Sequence, residues 1–589
     1  MLRYENSLPR LPVPSLAETA AKYLKSVRPL LSPSEFARTE SAVREFVKPG
    51  GVGEKLQTKL VRKAQDPNCK NWLADWWDDA AYMEYRDPVV MFVSYFYCHK
   101  DDKARKLPDQ RAASLTKAAL SFKRQIDEGT LEPDYMRKAP IAMSSFRYMF
   151  NTCRIPEAPK DKVTIFGHQG NQFIVVMRKN RFYKVWHEVD GQELSTADLE
   201  LQFRRVIEMA GDKHAIPVGV FTSDNRDNWA INRQALIAAD PANEAALSAI
   251  EKSSFLVCLD DTNPHTLDER ARSCWHGDGR NRWYDKPCQF IVFDNGRSGF
   301  MGEHSMMDGT PTHRLNHYVL DRLAFNKVDH GNPVAQTNLP QPEEITFKLD
   351  SHLKIAIKKS ERRFDQLVSD FELRVLKYQG YGASTIKLFK SSPDAWAQMM
   401  IQLAYYKFYN VNRPTYESAA TRKFQLGRTE TCRSVSEESV AWCKAMEDPS
   451  VSNEKCLELG RKALQAHVKC ILEASDGKGV DRHLFGLKKL LAPGEPIPAI
   501  YQDPIFAESC HWYLSTSQLS SEYTNGYGWY NSSSYSANLQ GPCRSRWLRP
   551  CIPSQPKRII FQCYLQKRES RAKFRIERRS ISLLFEGSG

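Results

Sequence analysis

Apolar residues recur at helical spacing along much of the chain. The stretch LAETAAKYLKSV, with Ser15 and Glu18 as a capping start, predicts one helix within Pro14–Phe46. The charge-rich segment Asp350–Lys377 predicts a helix with a solvated face. The same spacing predicts further helices at Asn71–Tyr85, Thr196–Met209, Asn228–Leu247, Pro393–Tyr409 and Ser434–Met446.

Short apolar or alternating runs lie between these helices. They predict strands at Val163–Phe166, Gln172–Val176, Phe182–Val185, Leu256–Leu259 and Gln289–Phe293. The longest apolar run, PVVMFVSYFYC at residues 88–98, is too short to span a bilayer and predicts a buried strand or core segment. Strands mixed with long helices over several hundred residues predict a large α/β protein, with a domain boundary near Thr346.

Composition narrows the class of protein. The 589 residues are 41% hydrophobic and 26% charged, a balance typical of globular proteins rather than disordered chains. The opening MLRYENSLPRLPVPS has no apolar run, so no secretory signal is expected. The 14 cysteines contain no C-x-x-C pair, which predicts free thiols in a reducing compartment and neither a zinc ribbon nor a disulfide scaffold.

The net charge of +14 is concentrated near the C-terminus. Residues 531–589 carry 12 Lys/Arg and 3 Asp/Glu, whereas the preceding 530 residues carry 72 and 67. Because the body of the chain is nearly balanced, its basic composition does not predict nucleic-acid binding. The Ser-rich tail is either a basic interaction arm or a sequence that natural selection has not shaped as part of a protein.

The segment GEHSMMDGTP contains the strongest isolated candidate for catalysis. His304 lies four residues before Asp308, with Gly309 and Pro311 directly behind. A neutral imidazole can take a proton from a hydroxyl or thiol and return it, provided that a partner fixes its tautomer. An i, i+4 pair shares a helix face, but glycine and proline favour a turn. Two alternatives remain open: a metal ligand, with His313 nearby, and an ordinary polar residue beside a turn.

Longer blocks carry a resemblance to a known family. The motif His-x-x-x-Asp-Gly is similar to that of coenzyme A-dependent acyltransferases with the chloramphenicol acetyltransferase-like fold. The blocks LPRLPVPSLAETAAKYL (8–24), TYESAATRKFQLGRTETCRS (415–434), VDRHLFGLK (480–488) and HWYLSTSQLSSEY (511–523) closely resemble the carnitine/choline acyltransferase family. The resemblance runs from about Ser7 to Trp529.

The resemblance implies a fold and a mechanism. It implies two domains, each a mixed sheet with helices, and an active site in a tunnel at their interface. Residues 70–345 would form the domain that carries the histidine, and residues 1–69 with 346–529 the second domain. His304 matches the family's general base, Asp308 the carboxylate that holds the imidazole, and Ser517 the donor to the oxyanion. No acyl-enzyme is implied, because both substrates can meet at one base in a ternary complex.

A carnitine site is implied as well. Carnitine has a carboxylate, which suits an arginine fork, and a quaternary ammonium, which suits aromatic rings. The family's carnitine residues match Tyr416, Thr429, Arg482, Ser515, Trp77 and Tyr82. Core packing is the alternative interpretation for Trp77 and Tyr82. The family's choline members differ at the Arg482 position and in the triplet 429–431, so this chain is expected to use carnitine.

Coenzyme A is the implied co-substrate, and no permanently bound cofactor or metal is implied. The matching positions are Lys387, Lys390, Asp394, Ser418 and Gln518. An earlier lysine of the family is replaced by Ala383, and another basic contact of the family falls at Val468, with Lys469 adjacent. We therefore expect the phosphate contacts to differ in detail from the family pattern.

The expected reaction is reversible transfer of a short acyl group between coenzyme A and the hydroxyl of carnitine. Tyr527 and Trp529 are bulky and lie where the family controls room for the acyl chain. They predict acetyl first, propionyl next and palmitoyl poorly. The alternatives are a medium- or long-chain carnitine acyltransferase, an inactive member of the family, and a non-catalytic binding protein that keeps the fold. A nucleic-acid-binding protein is a further alternative, which only the charge of the tail favours.

Residues 530–589 are expected to be an atypical basic tail. A shift of reading frame or an error in splice prediction would explain it. If the tail is genuine, an unpaired sheet edge and an uncovered core are expected. With no visible presequence and no S-K-L end, the expected compartment is the cytoplasm, and the peroxisome and mitochondrion are alternatives. The expected partners are the small molecules carnitine and acyl-coenzyme A, with no nucleic acid and no membrane span, and the protein is expected to be a monomer.

Overall fold

Helices and strands alternate along the chain in a computed structural model. It describes residues 1–378, 380–518, 524–529, 548–552, 554–555 and 558–566, with side chains up to residue 517 apart from that of residue 377. The helices are α1 Leu16–Val27, α2 Pro33–Val47, α3 Val52–Gln65, α4 Ala74–Asp78, α5 Val89–Phe92, α6 Pro108–Asp127, α7 Thr196–Ala210, α8 Arg226–Ala239, α9 Pro241–Lys252, α10 Leu267–Trp275, α11 Gly309–Ala324, α12 Ser351–Ser369, α13 Ala383–Leu388, α14 Pro393–Tyr409, α15 Glu437–Glu447, α16 Asn453–Ser475, α17 Asp481–Lys489, α18 Ala499–Gln502 and α19 Pro504–Ser509. A π-helical turn at Asp79–Met83 follows α4.

The strands fall into two large sheets and three short hairpins. They are β1 Ser94–His99, β2 Tyr135–Met136, β3 Ala139–Pro140, β4 Thr152–Ile155, β5 Lys162–Ile165, β6 Phe173–Arg178, β7 Arg181–Trp186, β8 Glu188–Val189, β9 Gln192–Glu193, β10 Leu256–Asp260, β11 Cys288–Phe293, β12 Ser298–Glu303, β13 Glu343–Ile345, β14 Phe371–Tyr378, β15 Thr415–Ala420, β16 Thr429–Arg433, β17 Leu514–Gln518, β18 Thr524–Trp529, β19 Leu548–Ile552, β20 Ser554–Gln555 and β21 Arg558–Gln566. The expected fold class, α/β with two sheets, is confirmed.

The first sheet has eight strands in the order β13-β7-β6-β10-β11-β12-β1-β18. Strands β6, β10 and β11 run parallel to one another, and the other neighbouring pairs are antiparallel, so the sheet is mixed. Every residue of β6, β10 and β11 is buried, which agrees with their nearly continuous apolar sequences. The apolar run at residues 88–98 forms α5 and most of the buried strand β1.

The second sheet follows the order β14-β21-β19-β17-β15-β16, with β20 paired to β21. Strand β15 lies between β16, which is antiparallel to it, and β17, which is parallel. Strands β19 and β21 come from the tail and pair with β17 and β14, so the expectation of an unpaired edge there is wrong. The sequence RIIFQCYLQ of β21 contains enough β-branched and aromatic residues to fill that position. The sequence of the tail also contains a second strand-like run, Ser580–Phe585, which lies outside the described residues.

Strand β18 connects the second half of the chain to the first sheet. The predicted boundaries assign it to the second domain, but it pairs antiparallel with β1, with Tyr527 opposite Tyr97. Conversely, the N-terminal helices α1 and α2 contact residues that come late in the chain. Thr19 Oγ1 lies 2.7 Å from His483 Nδ1, and Thr39 donates to the Asp503 carboxylate at 2.6 Å.

Three of the predicted helices are divided in the structure. Pro14–Phe46 forms α1 and α2 because Pro29 and Pro33 interrupt it, although Ser15 caps α1 as predicted. Asn228–Leu247 breaks at Pro241, which begins α9. The prediction for Asp350–Lys377 is wrong in its last third: α12 ends at Ser369, and FELRVLKY forms β14 because β21 offers it a partner.

Within the described ranges, no helix has both the length and the apolar character needed to cross a membrane.

Candidate active site

His304 lies in the connection from β12 to α11. It directly follows Glu303, the last residue of β12, and its backbone N–H donates to the Val93 carbonyl at 3.1 Å. The ring stacks on Tyr82, with centroids 5.4 Å apart, and meets the edge of Tyr95 at 5.2 Å. Burial among these rings lowers the pKa of His304 to about 4, so the imidazole is neutral at physiological pH. The turn predicted from Gly309 and Pro311 is wrong: both residues lie in the first turn of α11, where proline is tolerated because the first N–H groups of a helix have no partner within it.

Asp308 is the N-cap residue of α11 rather than a member of the same helix as His304. Its Oδ1 lies 3.9 Å from His304 Nδ1, which is ion-pair range but longer than a hydrogen bond. Burial opposes ionisation of Asp308, but the charge and hydrogen bonds of Arg428, together with His304 and Arg422, outweigh it and lower the pKa of the carboxyl. The carboxylate is therefore ionised beside a neutral imidazole, whose pKa it raises against the effect of burial.

Arg428 holds this connection in place, and sequence reasoning did not identify it. It makes two hydrogen bonds to the Asp308 carboxylate, at 3.1 and 3.2 Å. Its guanidinium also donates to the backbone carbonyls of His304 at 3.2 Å and Ser305 at 2.7 Å, and to Asp78 at 2.7 Å. Because Arg428 immediately precedes β16, it ties the histidine of the first sheet to the second sheet. The available signal was its position inside the block LGRTET, beside a predicted carnitine residue.

Tyr82 and Trp77 each carry an arginine on a ring face. The Arg428 guanidinium lies 4.8 Å from the Tyr82 centroid, and the Arg482 guanidinium lies 3.5 Å from the Trp77 centroid. Both aromatic residues are buried, in the π-helical turn and in α4 respectively. Cation–π contacts of this kind orient the two arginines within the site.

Arg482 projects from the first turn of α17 onto β16. Its Nε donates to the Thr429 carbonyl at 3.1 Å, and Nη1 donates to the Thr431 hydroxyl at 3.2 Å. Burial opposes the charge of this guanidinium, but the nearby Tyr416 and Glu430 outweigh it and raise the pKa of Arg482. Glu430 accepts backbone N–H groups from Thr431 at 2.7 Å and from Arg482 at 3.3 Å, and burial raises its pKa to about 7. Cation, hydroxyls and phenol thus converge on one small polar region.

Strand register places most of the predicted hydroxyl residues on one face of the second sheet. Tyr416 is opposite Ser515, and Ser418 is opposite Thr431. Side chains alternate along a strand, so Ser517 shares the face of Ser515. This hydroxyl-rich face is a surface on which a polar substrate could be hydrogen-bonded.

The predicted coenzyme A residues are less closely grouped. Lys387 and Lys390 are exposed at the end of α13, and Lys390 has a left-handed backbone with φ of 55°. Asp394, in the first turn of α14, has its pKa raised to about 8 by burial and by the neighbouring Glu417. Ser418 lies on the hydroxyl-rich face, and the side chain of Gln518 lies outside the described residues.

Comparison with known proteins places this site in a family. The family model described as Choline/Carnitine o-acyltransferase matches residues 11–536, seven residues beyond Trp529. The chain is 37% identical over 572 residues to the mitochondrial carnitine O-acetyltransferase of Saccharomyces cerevisiae, covering 94% of this chain and 84% of that protein. It is 36% identical to the carnitine O-acetyltransferase of Homo sapiens, with 88% and 84% covered. The peroxisomal carnitine O-octanoyltransferase of Bos taurus is 32% identical, with 87% of each chain covered.

Proposed function

Because the chain belongs to the choline/carnitine O-acyltransferase family, we propose that it transfers an acyl group, acetyl by preference, reversibly between coenzyme A and the hydroxyl of carnitine. The observation that carries this proposal is the buried Arg482 guanidinium beside Thr429 and Thr431. An arginine fork is suited to the carboxylate of carnitine, and choline has no carboxylate. The preference for acetyl is supported by the higher identity to carnitine O-acetyltransferases, 36–37%, than to the octanoyltransferase, 32%.

In this proposal His304 is the general base. Its Nδ1 is turned toward Asp308, so Nε2 takes the proton from the carnitine hydroxyl. The oxygen then attacks the thioester carbonyl, and the tetrahedral intermediate collapses as the carbon–sulfur bond breaks. The departing thiolate of coenzyme A receives the proton from His304. This transfer returns the base to its neutral state, and in the reverse direction the same nitrogen takes the proton from the thiol and gives it to the carnitine oxygen.

Ser517 is the proposed donor to the oxyanion of the tetrahedral intermediate. Its position on the hydroxyl-rich face, two residues beyond Ser515, supports this role. A donor aimed at the place where charge develops stabilises the transition state more than the ground state. Arg428 and Asp308 act as positioning residues, because they hold the connection and the ring of His304.

Coenzyme A is proposed as a co-substrate and not as a resident cofactor. The exposed Lys387 and Lys390 offer a cationic surface for its phosphates. Asp394 is proposed as a further coenzyme A contact, and burial and the neighbouring Glu417 raise the pKa of its carboxyl to about 8.

The test is release of coenzyme A from acetyl-coenzyme A with and without carnitine. Carnitine-dependent release, with choline a poor acceptor, is expected from the wild-type chain. His304→Ala serves as the matched control for chemical background. A series from acetyl through octanoyl to palmitoyl thioesters compares the proposed preference with the medium- and long-chain alternatives. Equal rates for wild type and His304→Ala would refute enzymatic transfer at this site.

We propose the cytoplasm as the location of the protein. The mitochondrion and the peroxisome are the alternatives, because the names of two relatives contain these compartments. Fractionation of cells that express the tagged chain distinguishes the three. Sedimentation of the purified protein tests the proposed monomer.

A further inference from the structure

A second cluster of reactive side chains lies on the opposite face of β15 and β16 from the hydroxyl-rich face. Glu417 and Cys432 are direct cross-strand partners, so both side chains project to the same side. His467 comes from α16, which covers that side. One donor atom from each of the three residues lies within 4.8 Å of the others, and all three residues are buried.

A fourth donor lies one helical turn along α16. Cys470 is three residues after His467, a spacing that puts both side chains on one helix face. Cys470 packs against the small core cluster that contains Cys432, and its thiol donates to the Arg433 carbonyl at 3.7 Å. The cluster therefore offers one carboxylate, one imidazole and two thiols from two strands and a helix. Tetrahedral zinc sites use this set of ligand types.

The state of the imidazole points the same way. His467 is 3% exposed, and its Nε2 lies 2.6 Å from Glu417 Oε2. A cation held between these two atoms would replace the proton that they share, because zinc binds imidazole nitrogen and carboxylate oxygen in the same site.

We propose that Glu417, Cys432, His467 and Cys470 form a binding site for a zinc-class divalent cation that fastens α16 to the second sheet. The inference goes beyond acyl transfer and does not depend on it. The sequence predicted no metal site because the four residues are spread over 54 positions and follow no close-spaced motif. The site lies behind Tyr416 and Ser418, which flank Glu417 on β15 and project to the other face.

Titration of the reduced full-length protein with Co²⁺ tests the proposal directly. A near-ultraviolet thiolate-to-cobalt absorption band that saturates at one ion per chain is expected, and Zn²⁺ should abolish it by displacing the cobalt. Cys432→Ser should lose most of the band and weaken binding at least tenfold. Cys443→Ser is the matched control, because Cys443 is also fully buried but lies on α15 outside the cluster, and it should behave as wild type.

Thermal unfolding supplies a second readout. Zn²⁺ should raise the melting temperature of wild type and Cys443→Ser but not of Cys432→Ser, because an ion bound only to the folded state stabilises it. His467→Gln repeats the comparison if Cys432→Ser fails to fold. The proposal is overturned if wild type shows neither band nor shift, or if the band persists in both cluster variants. It is also overturned if Cys432 and Cys470 form a disulfide and the reduced protein binds no ion. If His467 and Glu417 act solely as an ion pair, neither Co²⁺ nor Zn²⁺ should change any readout, and that result too overturns the proposal.

Discussion

The candidate active site has two halves, one around His304 and one around Arg482, and their surroundings differ. His304 lies between the rings of Tyr82 and Tyr95, and burial there lowers its pKa to about 4. Arg482 instead lies among backbone carbonyls and hydroxyls of β16, where its charge is hydrogen-bonded. The first surrounding keeps a base neutral, and the second keeps a cation charged. The difference suggests that proton transfer belongs to the first half and substrate binding to the second.

The largest effect is expected from removal of the base. His304→Ala should lower kcat by roughly 10²–10⁴-fold with little change in KM for carnitine, because the base acts in the transition state. Steady-state kinetics of the purified variant provide the measurement, and His313→Ala is a control from the adjacent helix α11. A change mainly in KM would contradict the proposal that the His304 half of the site transfers the proton and the Arg482 half binds the substrate.

Loss of Arg428, which links the two halves of the site, should destabilise the folded protein. Arg428→Met should lower the free energy of unfolding by about 3–5 kcal/mol, because it leaves two half-buried carboxylates, Asp308 and Asp78, without their cation. Denaturant unfolding measures the change, and Arg428→Lys should recover part of it because it restores the charge but not the fork. If Arg428→Met unfolds like wild type, the arginine does not hold the connection.

The binding half should respond differently from the base. Arg482→Gln should raise KM for carnitine by roughly 10–100-fold, with a smaller effect on kcat, because a charge-assisted bond to the carboxylate contributes about 1.5–3 kcal/mol. Comparison with choline as acceptor sharpens the test. Choline has no carboxylate, so its turnover should change little, and an equal loss for both acceptors would contradict the assignment.

A single hydroxyl should contribute less than the guanidinium. Thr431→Val removes the acceptor that lies 3.2 Å from Arg482 Nη1 and keeps the side-chain shape. About 1 kcal/mol, or roughly fivefold in KM for carnitine, is expected. Thr431→Ser, which keeps the hydroxyl, should stay near the wild-type value.

The smallest expected effect is on pH dependence in the neutral range. A base must be unprotonated, and the pKa of His304 is lowered to about 4 by burial. Activity carried by this group is therefore fully present at neutral pH and is lost as pH falls through about 4. Between pH 6 and pH 8 the rate should stay within about twofold on this account, and an acid limb near pH 6.5, the ordinary histidine value, would show that the ring is solvated during turnover.

Local pattern was a good guide where neighbouring residues decide the outcome. The cap at Ser15, the helix Pro393–Tyr409 and the buried strands β10 and β11 follow from the periodicity of their own sequences. The prediction of a helix is wrong for residues 371–377, where the charged helical pattern of the sequence continues but the structure has strand β14. There FELRVLKY pairs with β21, almost two hundred positions later, and the long-range partner overrides local propensity.

The site shows the same division. The blocks around His304, Thr429 and Arg482 identified the family from the sequence, and the family model confirms it. Arg428 was quoted within one of those blocks but had no role until the fold brought it to His304, 124 residues away. Its importance lies in a set of contacts that no spacing along the chain encodes.

By itself, the sequence determined the class of protein, most of its elements and the residue types available for chemistry, because these depend on composition and on near neighbours. The tertiary structure decided how those residues act. Packing against Tyr82 and Tyr95 makes His304 a neutral imidazole, and the register of β15 with β16 separates a hydroxyl-rich face from the Glu417–Cys432 face. Burial and register are properties of distant segments brought together, so only the folded chain specifies them.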